Sequence, residues 1–356
     1  MYSLKTFLKL FILLTTIFFF IENITPNEDI GNDLIVENEN NFFTLRQLTI
    51  SGENAEAYFS ADGSELIFQS HEGDSLCDQI YIMNLKNQET RMVSTGKGVT
   101  TCSYFEYPEC ENIIYASTHL NNVDCPNKPD YSKGYVWKLY PGYDIFKSNR
   151  NGNKLKRLTD SPTYDAEATY AHDGSKIIYT SMASGDLDIW TMNADGSGKK
   201  QLTDRLGYDG GAFFNHDASK IVWRVFHPKS EKEIQDYKQL LKENSIRPMA
   251  LQIWMMDSNG SNKKQVTFNN SANFGPYFFP DGKKIVFSSN YHDPSGRNFD
   301  LYSINTDGTN MKRITFFDGF DGFPMFSPDG KYLVFASNRN QLKKGDTNLF
   351  IAEWKN

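Results

Sequence analysis

A phrase of about 14 residues recurs six times along this chain, and it constrains the fold more than any other feature of the sequence. Each copy holds a strand-like segment, a tight turn and a second strand-like segment. The copies are AYFSADGSELIFQS (57–70), SYFEYPECENIIYAS (103–117), ATYAHDGSKIIYTS (168–181), AFFNHDASKIVWRV (212–225), PYFFPDGKKIVFSS (276–289) and PMFSPDGKYLVFAS (324–337). A third strand-like segment follows each copy, and hairpins such as NADGSG and NTDGTN lead to a fourth, because Asn-Gly and Asp-Gly favour tight turns.

The spacing of the copies indicates the architecture. The unit is 44–48 residues long, and two units carry insertions of roughly 16–20 residues. Four strands in a unit of this length are typical of one blade of a β-propeller. The six turn residues that we take as equivalent are Asp62, Glu109, Asp173, Asp217, Asp281 and Asp329.

The two ends of the repeat array complete each other. The sixth copy has no fourth strand after Trp354, whereas a spare RQLT stands at 46–49, before the first copy. A strand from the N-terminal end that closes the ring removes the unpaired edge of an open array. We therefore predict an all-β fold, a six-bladed β-propeller of four-stranded blades, in which residues 45–49 pair with the strand from Phe350 to Trp354.

The N-terminal region divides into two segments before the propeller. Residues 1–24 contain the apolar run from Leu10 to Ile21, which has the length of a signal peptide and is short for a bilayer span. Residues 25–43 carry five acids and no base, which predicts a disordered acidic tether before a propeller over 44–356. We expect a periplasmic or otherwise extracytoplasmic monomer that touches a membrane only if the signal is retained as an anchor.

The motifs resemble the repeat of the TolB family of periplasmic propellers, PxFSPDG, then DIYxMNxDG, then RLT. The resemblance covers residues 45–354 and implies the six-bladed fold. Propellers attached to peptidases also contain this repeat. In place of the N-terminal α/β domain of TolB, this sequence has only the short acidic segment.

Both insertions, 119–141 and 227–250, fall between the second and third strands of a blade. They share one face of the ring with the loops that enter the innermost strands, and we call it the elaborated face. The opposite face, with the Asp-Gly turns, is the turn face. Ser230 and Glu233 form a capping box, which predicts a helix with the apolar stripe Ile234, Tyr237, Leu240 and Leu241. This helix either packs on the rim or serves as a lid or partner-binding element.

The repeat register predicts which residues surround the channel mouth. Inner strands converge on the propeller axis, so residues eight and six positions before each turn residue form two stacked rings. The rings hold Asn54, Thr101, Asp165, Asp209, Asn273 and Asp321, and then Glu56, Ser103, Glu167, Gly211, Gly275 and Phe323. We predict binding at Glu56, Asp165, Glu167, Asp209, Asn273 and Asp321. Oxygen ligands suit a divalent cation such as Ca²⁺ at Glu56, Glu167, Asp165 and Asp209, or a cationic group of a peptide. The alternative is that the Asp residues only hydrogen-bond loop backbone.

Three of the four cysteines, Cys77, Cys102 and Cys125, are predicted to lie on the elaborated face, with Cys110 on the other. In an exported chain they predict one disulfide, with Cys77–Cys102 favoured, and Cys110 free. A zinc site with His71 or His119 is the alternative, although no CxxC spacing supports it.

The formal net charge of −7 and the lack of a basic stripe argue against nucleic-acid binding. The sequence has no G-x-S-x-G, H-E-x-x-H or phosphate-binding glycine loop. These observations favour a non-catalytic binding or scaffold propeller of the cell envelope that recognises a protein or peptide partner at the channel mouth. The alternative is a propeller enzyme, a polysaccharide lyase or glycoside hydrolase, that uses the channel-mouth carboxylates.

Overall fold

The computed structural model describes residues 33–71, 77–126, 134–293 and 295–355. Six four-stranded antiparallel sheets are arranged as the blades of a ring, and one two-stranded sheet lies outside them. This confirms the predicted six-bladed β-propeller. The predicted signal or anchor at 1–24 lies outside the described residues. No helix in the described part of the chain is long and apolar enough to cross a membrane.

The strands follow the repeat closely. The first strand is β1 (Phe42–Gln47), and blade 1 follows with β2 (Glu53–Phe59), β3 (Glu65–His71), β4 (Gln79–Asn84) and β5 (Thr90–Met92). Blade 2 and its insertion contain β6 (Thr100–Phe105), β7 (Asn112–Ser117), β8 (Trp137–Lys138), β9 (Asp144–Asn149) and β10 (Lys156–Arg157), and blade 3 contains β11 (Asp165–Tyr170), β12 (Lys176–Ser181), β13 (Asp188–Asn193) and β14 (Lys200–Gln201).

The second half of the ring has the same organisation. Blade 4 and its insertion contain β15 (Tyr208–Phe214), β16 (Lys220–Phe226), β17 (Ser245–Ile246), β18 (Gln252–Asp257) and β19 (Lys264–Gln265). Blade 5 contains β20 (Asn273–Phe278), β21 (Lys284–Ser289), β22 (Asp300–Asn305) and β23 (Lys312–Arg313), and blade 6 contains β24 (Asp321–Phe326), β25 (Tyr332–Ser337) and β26 (Asn348–Trp354).

The turn between the first two strands of a blade is stabilised by its aspartate. In blade 1 the Asp62 carboxylate accepts hydrogen bonds from Ser60 Oγ at 2.6 Å and from the backbone N–H of Ser64 at 3.0 Å. Gly63 then adopts a φ of 71°, which is a left-handed conformation that glycine reaches at little cost. Local side-chain chemistry therefore stabilises the turn that the repeat predicted.

The ring closes as predicted. Strand β1 pairs antiparallel with β26, with Leu45 opposite Ala352 and Gln47 opposite Phe350. The hydrogen bond from Leu48 N to Leu349 O, 2.8 Å long, extends the pairing. The N-terminal strand is thus the fourth strand of blade 6.

Part of the predicted tether is docked on the propeller. Of residues 25–43, the structure describes 33–43, and Glu39 is only 2% exposed. Its carboxylate accepts hydrogen bonds from Arg339 Nη2 at 2.9 Å and from the backbone N–H of Phe316 at 3.2 Å. The expectation of a disordered segment is wrong for this part, because the buried Arg339 holds Glu39 in place by charge pairing.

The two insertions meet above the ring. Helix α1 (Glu231–Lys242) has Ser230 as its N-cap with the predicted capping box, and Tyr237 and Leu240 are buried. Strand β8 of the first insertion pairs with β17 of the second. We call α1 with the β8–β17 ladder the cap. The Tyr237 hydroxyl donates to Asp186 Oδ1 at 2.5 Å, so the helix is packed on the rim of blade 3.

One disulfide joins Cys77 to Cys125, with Cα atoms 5.5 Å apart, while Cys102 and Cys110 are free. The prediction of one bridge among Cys77, Cys102 and Cys125 is confirmed, but the preferred pairing of Cys77 with Cys102 was wrong. Cys102 lies on the inner strand β6 and lines the channel, whereas Cys125 belongs to an insertion long enough to reach blade 1.

We expect peptide mapping of the unreduced protein to find Cys77 linked to Cys125, with both other cysteines open to alkylation after denaturation. Replacing both bridged cysteines by serine should lower the free energy of unfolding by roughly 2–4 kcal/mol, because the bridge restricts the unfolded chain. Urea titration of the double variant provides the measurement. A linked peptide that contains Cys102 would contradict this connectivity.

Candidate binding pocket at the channel mouth

The structure corrects the register of the second blade. Thr100 pairs with Ser117 as Asp165 pairs with Ser181 in blade 3. Thr100 and Cys102, rather than Thr101 and Ser103, therefore occupy the two ring positions in blade 2. The shift arises because the turn that contains Pro108 is one residue longer than the other turns.

The outer ring is held by contacts within the blades. Asn54, Asp165 and Asn273 each accept a hydrogen bond from a serine at the end of the second strand, at 2.8, 2.5 and 2.7 Å. Asp209 accepts from Trp223 Nε1 at 2.6 Å, and Asp321 accepts from Arg339 Nη2 at 2.8 Å. These buried side chains thus already have partners.

The predicted metal ligands Glu56, Glu167, Asp165 and Asp209 do not form one group. Among the residues that the structure describes, no three His, Cys, Asp or Glu side chains are placed to hold a metal ion together. Asp165 and Asp209 lie in the outer ring with partners of their own, whereas Glu56 and Glu167 belong to the inner ring.

The inner ring has an unusual backbone. Every inner strand carries a β-bulge, and the ring residue at the bulge has a positive φ; these residues are Glu56 (54°), Cys102 (51°), Glu167 (56°), Gly211 (59°), Gly275 (57°) and Phe323 (54°). The left-handed conformation costs a residue other than glycine about 1–2 kcal/mol. Two blades have glycine here, so the fold accepts glycine, and four blades nevertheless place a side chain around the channel.

Aromatic side chains fill the channel next to the inner ring. The rings of Tyr58 in blade 1 and Phe213 in blade 4 are 5.4 Å apart, and the hydroxyls of Tyr104 in blade 2 and Tyr277 in blade 5 are 3.4 Å apart. These blades lie on opposite sides of the axis, so the side chains meet across it. We call these four residues the plug.

A pocket open to solvent lies between the inner ring and the plug, with about 350 Å³ of space free of protein atoms, open solvent included. Its walls carry acids, a guanidinium and a thiol, and its floor is largely apolar. The lining residues are Glu56, Tyr58, Cys102, Ser103, Glu167, Ala168, Thr169, Gly211, Phe213, Arg224, Gly275 and Phe323. Of the residues predicted to bind at the mouth, Glu56 and Glu167 line this pocket.

Glu167 is fully engaged by its neighbours. Its carboxylate forms a buried ion pair with Arg224. It also accepts hydrogen bonds from Tyr208 Oη at 3.0 Å, Thr180 Oγ1 at 2.6 Å and the backbone N–H of Gly211 at 2.8 Å. This carboxylate is therefore a fixed part of the pocket wall.

The sequence analysis missed Arg224, which is only 6% exposed. Its guanidinium lies 4.8 Å from the ring centre of Trp137 in the cap, and Nε donates to Tyr208 Oη at 2.8 Å. A Cβ at Gly211 would lie 2.9 Å from Arg224 Cζ, so glycine leaves room for the guanidinium. Comparison of the repeats could have revealed this arginine, because the equivalent position on the second strand is uncharged in the other five blades. Those positions hold Gln69, Ala116, Thr180, Ser288 and Ala336.

Glu56 differs from Glu167 because one of its oxygens is uncommitted. Oε2 is buried and has no hydrogen-bond partner among the described residues. Burial raises the pKa of Glu56 to about 7, although the hydrogen bond with Cys102 and the charge of Arg224 act in the opposite direction. Glu56 is therefore the pocket carboxyl that can gain or lose a proton near neutral pH and can accept a hydrogen bond from a ligand.

This pKa predicts a pH-dependent stability. Because the pKa of Glu56 rises from 4.5 to about 7 on folding, its stabilising contribution is complete below pH 4.5 and is lost as the pH rises through 7. The loss amounts to at most about 3 kcal/mol. Urea unfolding at several pH values should show wild type losing stability relative to Glu56→Gln between these limits. A constant difference between the two proteins would refute the assignment.

The loops of the elaborated face, which we call the rim, expose several apolar side chains. Twelve large apolar side chains are exposed in the described residues, and eight of them lie in loops of the elaborated face. The eight are Ile50, Leu120, Val123, Tyr135, Met249, Phe268, Tyr291 and Leu342. Apolar side chains concentrated on one face are typical of an interaction surface.

Comparisons with known proteins agree with this architecture. Residues 245–349 match the TolB beta propeller domain. A putative TolB from Agrobacterium tumefaciens superposes with a TM-score of 0.58 at 17% identity, over 86% of this chain and 91% of that one. TolB from Acinetobacter baumannii gives a TM-score of 0.55 at 17% identity, over 75% of this chain, which spans 55% of its length. An oligogalacturonate lyase from Vibrio parahaemolyticus gives 0.50 at 13% identity, over 87% and 93% of the two chains.

No curated protein matches the sequence. At these identities the structural comparisons establish the fold. The protein is a six-bladed β-propeller with a pocket at its channel mouth. The match to the TolB beta propeller domain covers residues 245–349, which lie within the region whose repeat motifs resemble the TolB family.

Proposed function

We propose that this protein is an exported, non-catalytic binding propeller of the cell envelope, which recognises a protein or peptide partner at the channel mouth. The observation that carries the proposal is the pocket, in which Glu56 presents an unpartnered carboxyl oxygen above an aromatic floor. The TolB-like fold supports the proposal.

The pocket chemistry favours a cationic group of the partner. Arg224 already pairs with Glu167, so Glu56 is the lining carboxyl with an oxygen still to be satisfied. An amine or guanidinium that donates to Glu56 would lower its pKa and release a proton on binding at neutral pH. The apolar rim would then contact the surface of the partner around the inserted group.

Export is supported by the disulfide. Bridges such as Cys77–Cys125 persist in oxidising compartments and are rare in the cytosol. The apolar run at residues 10–21 is the proposed export signal, and the periplasm or another extracytoplasmic compartment is the proposed location.

Cross-linking in envelope extract, followed by mass spectrometry, tests the proposal with three variants. Glu56→Gln removes the pocket charge and Phe268→Ser removes a rim side chain that is 78% exposed, so both should reduce capture of the partner at least tenfold. Tyr332→Ser changes an exposed residue of strand β25 outside the elaborated-face loops and should capture the same partner as wild type. Equal capture by all four proteins, or no captured protein, would count against the proposal.

A catalytic function, as a polysaccharide lyase or glycoside hydrolase, is the second candidate. The specific observation in its favour is the pKa of Glu56, which at about 7 suits a general acid or base at neutral pH. Incubation with oligogalacturonate and with neutral oligosaccharides, analysed by mass spectrometry, separates the candidates. Cleavage that Glu56→Gln abolishes would establish the enzyme, whereas binding without turnover would support the first proposal.

A further inference from the structure

A second pocket lies on the turn face, on the opposite side of the plug. It is a cleft open to solvent, with about 340 Å³ of space free of protein atoms, open solvent included, and the plug residue Tyr277 contributes to its lining. Blades 3 to 6 supply the remaining lining residues, which include His172, His216, Phe279, Pro280, Phe326 and Pro328. Neither the sequence analysis nor the proposed function uses this pocket.

The walls of this pocket are suited to an apolar body that carries a cation. The rings of Phe279 and Phe326 lie 4.4 Å apart. Lys284 Nζ lies 5.6 Å from the ring centre of Phe279, so a wall residue already interacts with an ammonium group. Aromatic faces attract cations through their quadrupole.

His172 supplies a polar group. Its Nδ1 is buried and has no hydrogen-bond partner among the described residues. Its ring packs between those of Tyr107 and His216, at centroid distances of 4.9 and 5.1 Å. Burial lowers the pKa of His172 to about 4, so the imidazole is neutral at pH 7 and does not repel a cation. Its unpartnered nitrogen can accept a hydrogen bond from a ligand N–H.

Negative charge surrounds the entrance. Four lining residues, His172, His216, Pro280 and Pro328, are each followed directly by an exposed aspartate. Hydrogen bonds from Ser175 and Ser219 lower the pKa of Asp173 and Asp217, and those from Ser327 help to lower that of Asp329 to about 2. Lys331 Nζ lies 3.0 Å from Asp329 and offsets its charge, and Asp173 and Asp217 lie on the side of His172 and His216.

We propose that the turn-face pocket binds a small organic cation, an apolar body with a protonated amine, with the amine near His172 and the Asp173 and Asp217 carboxylates. The body of the ligand would pack against Phe279 and Phe326. This site is separate from the pocket at the channel mouth, because the plug lies between them.

Titration calorimetry with 2-phenylethylammonium, the neutral 2-phenylethanol and the anionic phenylacetate tests the proposal on the intact protein. We expect a Kd on the order of 0.1–1 mM for the ammonium, which is reasonable for so few atoms. The neutral 2-phenylethanol should bind at least ten times more weakly than the ammonium, and phenylacetate should bind more weakly than the alcohol. Binding of the alcohol as tight as that of the ammonium, or no saturable ammonium binding up to about 10 mM, would overturn the proposal.

Charge-neutral variants locate the site. Asp173→Asn with Asp217→Asn should weaken ammonium binding at least fivefold, since asparagine can still cap the turns. Asp195→Asn with Asp307→Asn is the matched control, because these aspartates cap outer hairpins in the same way. Both double variants are made in the Glu56→Gln background, because the proposed function assigns Glu56 to a cationic group and an amine bound there would otherwise be counted. Equal losses in the two double variants, or no ammonium binding in Glu56→Gln itself, would contradict the assignment.

Discussion

Deletion of Phe42–Gln47 is expected to prevent the propeller from folding and to cause the chain to aggregate. These residues form β1, the fourth strand of blade 6, and they pair with β26. Without β1, strand β26 would expose its backbone N–H and C=O groups as an open edge, and such edges promote aggregation. The buried side chains of Phe42 and Leu45 would also be lost from the core. Size-exclusion chromatography and circular dichroism after expression measure the result.

Two point variants in β1 test whether the strand stabilises the propeller through its buried side chains, or whether any substitution in this strand destabilises the protein. Leu45 is completely buried, and Leu45→Ala should lower the free energy of unfolding by about 2–5 kcal/mol. Phe43 is 57% exposed on the same strand, and Phe43→Ala should cost less than about 1 kcal/mol. A stable monomeric protein lacking β1, with a cooperative unfolding transition like that of wild type, would show that the closing strand is dispensable.

Arg224→Met is expected to lower the free energy of unfolding by about 3–5 kcal/mol, because it leaves a buried carboxylate without its charge partner. Glu167 is 9% exposed, and its remaining partners are the neutral donors Tyr208, Thr180 and Gly211. The variant also removes the guanidinium that packs on Trp137 of the cap. Urea denaturation at pH 7 provides the measurement.

The double variant Arg224→Met with Glu167→Gln tests the cause, since it removes both charges. It should recover most of the lost stability. Lys331→Met breaks an exposed ion pair with Asp329 and should leave the midpoint of urea unfolding close to that of wild type. If the double variant is no more stable than Arg224→Met, packing of the arginine rather than its charge is responsible.

The features that the sequence predicted are those that depend on neighbours along the chain. The repeat predicted the blades, because Asp-Gly turns and alternating apolar residues act over a few positions. The capping box of Ser230 and Glu233 predicted α1 for the same reason. Closure was also predictable, because a four-stranded unit with a missing strand at one end and a spare strand at the other has one way to satisfy both edges.

The candidate site was only half predictable. Register placed Glu56 and Glu167 on the inner ring, but it did not reveal that Glu167 pairs with Arg224 from the next blade. In blade 2 the predicted ring positions were wrong by one residue. The sequence pattern alone does not show that the turn at Pro108 is one residue longer than the equivalent turns of the other blades. The Cys77–Cys125 pairing likewise depends on how far an insertion reaches across neighbouring blades.

By itself, the sequence determined the number of blades, the closing strand, the capped helix and, in five of the six blades, the residues that approach the axis. Tertiary structure alone decided which acids are neutralised, where the channel is filled and how two pockets are formed on either side of the plug. The physical reason is the range of the interactions involved. Turns, caps and strand periodicity arise within a few residues, whereas the Arg224–Glu167 pair and the contact of Tyr58 with Phe213 join residues 57 and 155 positions apart and exist only once the ring has closed.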